Sequence, residues 1–330
     1  MLRLSSFEYA EPKTLDDALR AKEEAGNDGM FVAGGTDLYP NMKRRHQEPP
    51  VVVSLAGLAE LRGIHRASAT DGYRIGAMES LTTVHRSAEL ARNYPAVVNA
   101  AASISTPVLR NMGTIGGNLC LDTRCNYYNQ NYEWRKAINF CMKKEGDICW
   151  VAPSSPRCWA VQSSDLAPVM VALDAAYVLR SNQGERVVPA GRFYNDDGIN
   201  YLTKQPHEVL TEINLPTPNG WDATYWKLRR RGAFDFPVLG VAAWIHWDDD
   251  RVADARIVLG GVASFPQTIP AAAEVLKGTK LDDDSIAAAA QAAFKPAKPM
   301  DNTDFKLSWR KEMTRVYVGR ALRELRERKS

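Results

Sequence analysis

The 330-residue chain has no cysteine before Cys120 and none after Cys158. It also lacks any apolar run near the roughly 20 residues that a membrane-spanning helix needs. Its first residues, MLRLSSFEYAEPKTLDD, hold no long apolar stretch of the secretory kind. The expectation is a cytoplasmic protein, where thiols stay reduced, so a disulfide framework is not indicated. Charge of one sign is lacking too: 42 basic residues stand against 39 acidic ones, a net +3. That balance argues against a nucleic-acid footprint. The one basic run, Arg229-Arg230-Arg231, is short and reads as a solvated turn. Histidines are five and scattered, so His85 reads as a surface or capping residue rather than a metal ligand. There is no internal repeat, no low-complexity tract and no G-x-G-x-x-G fingerprint, so a Rossmann domain is not indicated.

What is present suits two or three globular domains, with 45% hydrophobic and 25% charged residues. Thr14 is placed to cap a helix through Leu15, Ala18, Leu19 and Ala25. Phe31-Val32-Ala33 then reads as a strand end, Gly34-Gly35 as a tight turn and Thr36-Asp37 as a helix start. A strand, a Gly-Gly turn and a helix N-terminus together can cradle a phosphate, because the chain approaches closely and N–H groups point outward. Strands follow at Pro49–Leu55 and Tyr73–Ala77, and helices after Ser80 and over Pro95–Ile104. A second glycine turn, RNMGTIGGN (Arg110–Asn118), carries a hydroxyl at Thr114 and an amide at Asn118. Two such loops suit a ligand whose pyrophosphate is gripped from more than one side. Asp165, in Ser163-Ser164-Asp165, stands before a helix and a strand; it is either a cap or a partner for a ligand hydroxyl. Val209–Leu215 reads as a strand ending at PTPNG, the best boundary in the chain. Beyond it come strands at Ala223–Leu228, Val238–His246 and Ala253–Gly260. Two helices follow, Asp284–Phe294 and Phe305–Arg328. The last is expected to bury Trp309, Met313, Val316, Tyr317, Ala321 and Leu322.

All five cysteines fall in the spacing C-x4-C-x15-C-x7-C-x8-C. Such clustering is a site signature. No paired zinc knuckles are present, nor either ferredoxin spacing. Cys120 sits close to the glycine turn and reads as a buried structural thiol. Cys125, Cys141, Cys149 and Cys158 lie in the insertion itself and are the expected ligands. Four thiolates suit an iron–sulfur cluster or zinc, and spacing alone does not choose. The aromatics of the same segment, Tyr127, Tyr128, Tyr132, Trp134, Phe140, Trp150 and Trp159, read first as the packing of a small lobe and second as a dry shell around a cluster.

AGGTDL (Ala33–Leu38), RNMGTIGGN and SSDLAPVMVALDA (Ser163–Ala175), continued by TYWKLRRR (Thr224–Arg231), resemble the FAD-binding subunits of the molybdenum hydroxylases, the xanthine and carbon monoxide dehydrogenase family. The resemblance implies an α+β fold. A PCMH/vanillyl-alcohol-oxidase-type FAD-binding domain would occupy residues 1–217, in α/β subdomains of about 1–56 and 57–217. A C-terminal α+β domain of the CO dehydrogenase flavoprotein type would occupy 218–330. The insertion, about 119–162, is similar to that of 4-hydroxybenzoyl-CoA reductase β subunits, where it holds a [4Fe–4S] cluster beside the FAD.

Carried over, the resemblance gives FAD-binding roles to Val32, Ala33, Gly34, Gly35, Thr36 and Asp37, and to Thr114, Ile115, Gly116 and Gly117 from the other side, with Asn118 pinning that turn. Ile104, Leu215 and Lys227 would lie near the flavin ring, and Asp165 would bond the ribityl or adenosine portion. Cys125, Cys141, Cys149 and Cys158 would ligate the cluster. No residue of this chain would be catalytic. The implied partners are a molybdopterin-binding large subunit and a [2Fe–2S] small subunit in a dimer of heterotrimers, with ferredoxin as donor. Electrons would run from ferredoxin through [4Fe–4S] and FAD to [2Fe–2S] and molybdenum, where 4-hydroxybenzoyl-CoA would be reduced to benzoyl-CoA. Two alternatives stand beside this reading: an oxidising molybdenum hydroxylase that hands electrons to NAD or a quinone, and a zinc-stabilised scaffold.

Overall fold

The computed structural model describes residues 3–67 and 72–329. The described residues form three sheets. The first is parallel, in the order β1-β3-β2, from β1 (Glu8–Ala10), β2 (Met30–Val32) and β3 (Val51–Ser54). Parallel neighbours need a crossover, and the helix Leu15–Glu24 supplies one. Thr14 caps it by accepting from the Asp17 N–H, and Leu15, Ala18 and Leu19 are buried against Val53, Leu55 and Leu58.

The second sheet is antiparallel, in the order β4-β5-β8-β6-β7: β4 (Ile64–Arg66), β5 (Tyr73–Gly76), β6 (Ala176–Ser181), β7 (Gly184–Pro189) and β8 (Val209–Leu215). The third is antiparallel too, in the order β12-β11-β10-β9: β9 (Trp221–Leu228), β10 (Leu239–Asp248), β11 (Arg251–Gly260) and β12 (Gln267–Thr268). Between these two sheets lie the helices Pro95–Ser103 and Leu166–Leu173, sharing one core with Ile75, Ile213, Tyr225 and Val258. This explains why LAPVMVAL has no polar face. A helix covered on all sides is apolar all round, and every residue of Leu166–Leu173 is buried.

The far face of the third sheet is covered by helices Pro270–Leu276, Asp283–Phe294 and Leu307–Lys329. Two expectations change here. The region holds three helices, the short Pro270–Leu276 being the addition. The last helix buries Ala321 and Leu322 as expected and packs Met313 and Tyr317 against the core, but Trp309 and Val316 are exposed, and Arg310, Thr314, Val318 and Leu325 are buried beside them. Arg310 is tolerated there because its guanidinium donates to the carbonyls of Val238, Gly261 and Met300.

The cysteine-bearing insertion leaves and rejoins the body at one place. Arg124 and Val161 exchange both backbone hydrogen bonds, at 2.9 and 2.7 Å. Within it a single short helix, Tyr132–Ala137, is capped by Asn131.

Candidate cofactor cleft and cysteine site

A cleft of about 940 Å³ opens beside the parallel sheet, and both glycine loops line it. Their backbones touch. A Cβ at Gly34 would stand 1.8 Å from the carbonyl oxygen of Met112, so only glycine fits there. Gly35 has φ +68°, the left-handed region. The two loops differ in what they offer. The N–H groups of Gly34, Gly35, Thr36 and Asp37 donate to no acceptor among the described residues. In the second loop the N–H groups are already used: Ile115 donates to Glu79 O (2.9 Å), Gly116 to Ala77 O (2.8 Å) and Gly117 to Thr114 Oγ1 (3.0 Å). The expected backbone grip from both sides is therefore a grip from one. The second loop presents the Thr114 hydroxyl instead, which accepts from Gly117 and donates to no described residue. Gly116 and Gly117 line the cleft, but Ile115 is buried in the core and does not.

Asn118 ties the second loop to the Ser163–Asp165 motif. Its Oδ1 accepts from Ser164 Oγ (2.7 Å) and from the Leu166 N–H (3.4 Å). Ser164 Oγ also accepts from the Ala167 N–H, so Ser164 caps this helix and Asp165 does not. Asp165 lines the cleft, its Oδ1 accepting from the Tyr225 hydroxyl (2.7 Å) and its Oδ2 from Lys227 Nζ (2.9 Å). Burial, reinforced by the Asp165 carboxylate, pushes the Tyr225 phenol well above its usual range, so it remains a donor. Val32, Ala33 and Ile104 also lie on the wall. Lys227 does not reach it and acts through Asp165, while Leu215 is buried in β8.

Arg124 escapes sequence reasoning. It is buried, ion-pairs with Asp37, and donates to Asn41 Oδ1 (3.1 Å), while Asn41 donates to Asp37 Oδ2 (3.0 Å). This closed triangle fixes the helix after the first glycine loop. Burial lowers the Arg124 pKa to about 10, and its Nε has no partner. Its only sequence mark is its place directly before Cys125.

Cys125, Cys141, Cys149 and Cys158 line one small cavity of about 10 Å³ beyond the cleft. All four are free thiols, 5–6% exposed. Three of them begin tight turns: Cys125 O accepts from the Tyr128 N–H, Cys141 O from Lys144, and Cys149 O from Ala152. Around Cys125 and Cys149 the turns aim N–H groups back at sulfur. Tyr127 and Tyr128 donate to Cys125; Val151, Ala152 and Trp159 donate to Cys149. The Ala160 N–H reaches Cys158 Sγ at 3.4 Å. Such donors favour thiolates. Burial still pushes Cys125 up to about 12. The Cys158 thiol, hydrogen-bonded to Cys149, holds Cys149 below its usual value and is itself raised. Cys120 stands apart on the cleft wall, pushed up to about 11 by burial. Of the aromatics, Tyr127, Tyr128 and Trp150 wall the cavity, while Tyr132 packs on Phe140 at 5.7 Å.

Both sites fit the groups that the sequence implies. Free amides beside close-packed glycines accept a pyrophosphate, and the cleft has the volume of a cofactor site. The cysteine site offers four buried sulfurs with amide donors, the donor set of a cluster. No group of three or more His, Cys, Asp or Glu that could hold a metal ion is found among the described residues, and that applies to the four cysteines as to any other set.

Comparison with known proteins supports the flavin cleft and does not speak for a cluster at the cysteines. A family model described as the FAD binding domain in molybdopterin dehydrogenase matches residues 5–218, and one described as the CO dehydrogenase flavoprotein C-terminal domain matches 223–325. The chain is 30% identical to the carbon monoxide dehydrogenase medium chain of Afipia carboxidovorans, over 98% of each. It is 32% identical to the aldehyde oxidoreductase FAD-binding subunit PaoB of Escherichia coli, over 92% of this chain and 94% of that one. Carbon monoxide dehydrogenase from Oligotropha carboxidovorans, a solved structure, superposes with a TM-score of 0.81 at 28% identity over 99% of both chains. None of these relatives carries the resemblance to 4-hydroxybenzoyl-CoA reductase in particular. On its matched domains, its fold and its relatives, the chain belongs to the FAD-binding medium subunits of the molybdenum hydroxylase family.

Proposed function

We propose that this chain is the electron-relay subunit of an oxidising molybdenum hydroxylase complex, with FAD in the cleft and a [4Fe–4S] cluster on Cys125, Cys141, Cys149 and Cys158. The observation that carries the reading is the convergence of four buried thiols, three of them accepting from backbone amides, one wall away from the cleft. When bound, FAD exchanges electrons singly or in pairs and the cluster exchanges them singly. The chain's own residues do the holding. The amides of Gly34–Asp37 and the Thr114 hydroxyl bind the pyrophosphate. The Arg124–Asp37–Asn41 triangle keeps the first loop in place. Asp165, fixed by Tyr225 and Lys227, presents a carboxylate to the ribityl or adenosine portion.

In this reading the substrate meets a molybdopterin-binding partner chain, a [2Fe–2S] chain joins the two, and electrons leave for NAD or a quinone. The relatives named for carbon monoxide and aldehydes support the oxidising direction. The cysteine insertion favours a second reading, a complex like 4-hydroxybenzoyl-CoA reductase, fed by ferredoxin and built as a dimer of heterotrimers. No helix of the described residues is long and apolar enough to cross a membrane, and a reducing cytoplasm would keep the thiols available.

The complex, purified without oxygen, decides. One FAD with about four iron and four sulfide per chain is expected. FAD without iron overturns the cluster assignment, and zinc in its place favours the scaffold. Cys141→Ser is expected to lose iron and keep flavin; loss of both makes the insertion structural. Direction follows from turnover: aldehyde with an artificial acceptor against 4-hydroxybenzoyl-CoA with reduced ferredoxin.

A further inference from the structure

The wall between the cysteine cavity and the cleft is one ion pair thick. Lys143 lines the cavity and Asp122 lines the cleft. Lys143 Nζ lies 2.8 Å from Asp122 Oδ1, with side chains 7% and 8% exposed. The ammonium also donates to Thr123 Oγ1 (2.9 Å) and Gly198 O (2.6 Å), so all three of its donors are used. Asp122 is anchored as firmly: its Oδ2 accepts from the Tyr128 hydroxyl (3.0 Å) and from Gln47 Nε2 (3.3 Å). Gly198 carries the contact on to sulfur. Its N–H donates to Cys158 O (3.0 Å), and a Cβ there would stand 2.7 Å from Cys158 Sγ. The pair thus spans the two sites, with Lys143 among the residues of the cavity and Asp122 among those of the cleft.

We propose that Lys143 and Asp122 are positioning residues that set the reduction potentials on the two sides of the wall, the ammonium favouring the reduced cluster and the carboxylate disfavouring the reduced flavin. The proposal rests on the [4Fe–4S] reading. The physical ground is that a thiolate-ligated cluster and a flavin each gain negative charge on reduction, and a charge held in a dry interior acts on them with little screening.

Potentiometric titration of the intact anaerobic complex, following the cluster by its magnetic resonance signal and the flavin by its visible bands, tests this. Lys143→Met is expected to lower the cluster midpoint, while Lys143→Arg restores it towards wild type. Asp122→Asn removes the charge while keeping one acceptor oxygen, for Lys143, and is expected to raise the flavin midpoint. It also serves where Lys143→Met does not fold. Full iron with unmoved midpoints in these variants overturns this proposal and leaves the cluster standing. A wild-type chain without iron overturns both.

Discussion

Replacing Lys227 by methionine strips Asp165 of the cation that keeps it inside the protein. The two side chains are 4% and 3% exposed, and the Lys227 ammonium bonds only Asp165 Oδ2 (2.9 Å) and Ser103 O (3.0 Å). Ser103 O keeps a second donor in Arg229 (2.9 Å), so losing Lys227 there matters little. Asp165 keeps only the Tyr225 hydroxyl. Breaking a buried pair from one side costs about 3–5 kcal/mol, because the remaining charge stays uncompensated. At about 2 °C per kcal/mol for a chain this size, the melting temperature is expected to fall by about 6–10 °C. Flavin content is expected to fall with it, since Asp165 faces the cleft. The double variant Lys227→Met/Asp165→Asn removes both charges and is expected to recover most of the loss, a coupling of about 2 kcal/mol or more. Thermal unfolding of the four proteins measures the cycle. A single variant within about 1 kcal/mol of wild type, with no gain in the double, would refute the reasoning.

Two further outcomes follow from the same geometry. Gly34→Ala forces a Cβ into the Met112 carbonyl, which is backbone and cannot swing aside. It is expected to cost about 1–3 kcal/mol and most of the bound flavin, while Gly191→Ala, which meets nothing within 4 Å, retains it; flavin-to-protein ratios in the two purified variants compare them. His46 stacks on Tyr128 at 4.3 Å, and burial lowers its pKa to about 4, against about 6.5 when unfolded. A histidine lowered in the fold stabilises fully above the unfolded value, and that stability drains as pH falls towards the folded one. Wild type is expected to lose about 1–2 kcal/mol between pH 7 and pH 5, discounted because the ring borders the cleft. His46→Phe keeps the stacking and should hold its stability over that range; parallel pH curves would count against the idea.

The cleft was legible because its demands are local. A glycine that touches another backbone and a hydroxyl capping its own turn leave marks within five residues, as at Gly34 and Thr114. Which atoms of a motif face the ligand was not legible: Ile115 and Leu215 sit where a family pattern points, yet their side chains serve the core. Nor were the residues that tie the insertion to the cleft. Arg124 meets Asp37 across 87 positions of chain, and no periodicity records such a pairing. The two misassigned positions of Leu307–Lys329 have the same origin. Apolar spacing pointed to Trp309 and Val316, but three distant carbonyls admit Arg310 to the interior and turn the helix accordingly.

The double hydrogen bond between Arg124 and Val161 has an architectural consequence. Residues exchanging two bonds in an antiparallel pair have Cα atoms about 5.5 Å apart, so the lobe of residues 125–160 enters and leaves through one doorway. The lobe is then pinned to the body by side chains: Asn302 Nδ2 on Trp159 O, His46 on Gln130 O, Arg135 on the carbonyls of Arg44 and Arg45, Lys143 on Asp122, Thr123 and Gly198, Tyr128 on Asp122, and Arg157 on Asp196. A graft of one or two residues across that doorway closes the body without rerouting a single strand. The lobe is in this sense a cassette, fitted onto a finished flavoprotein frame.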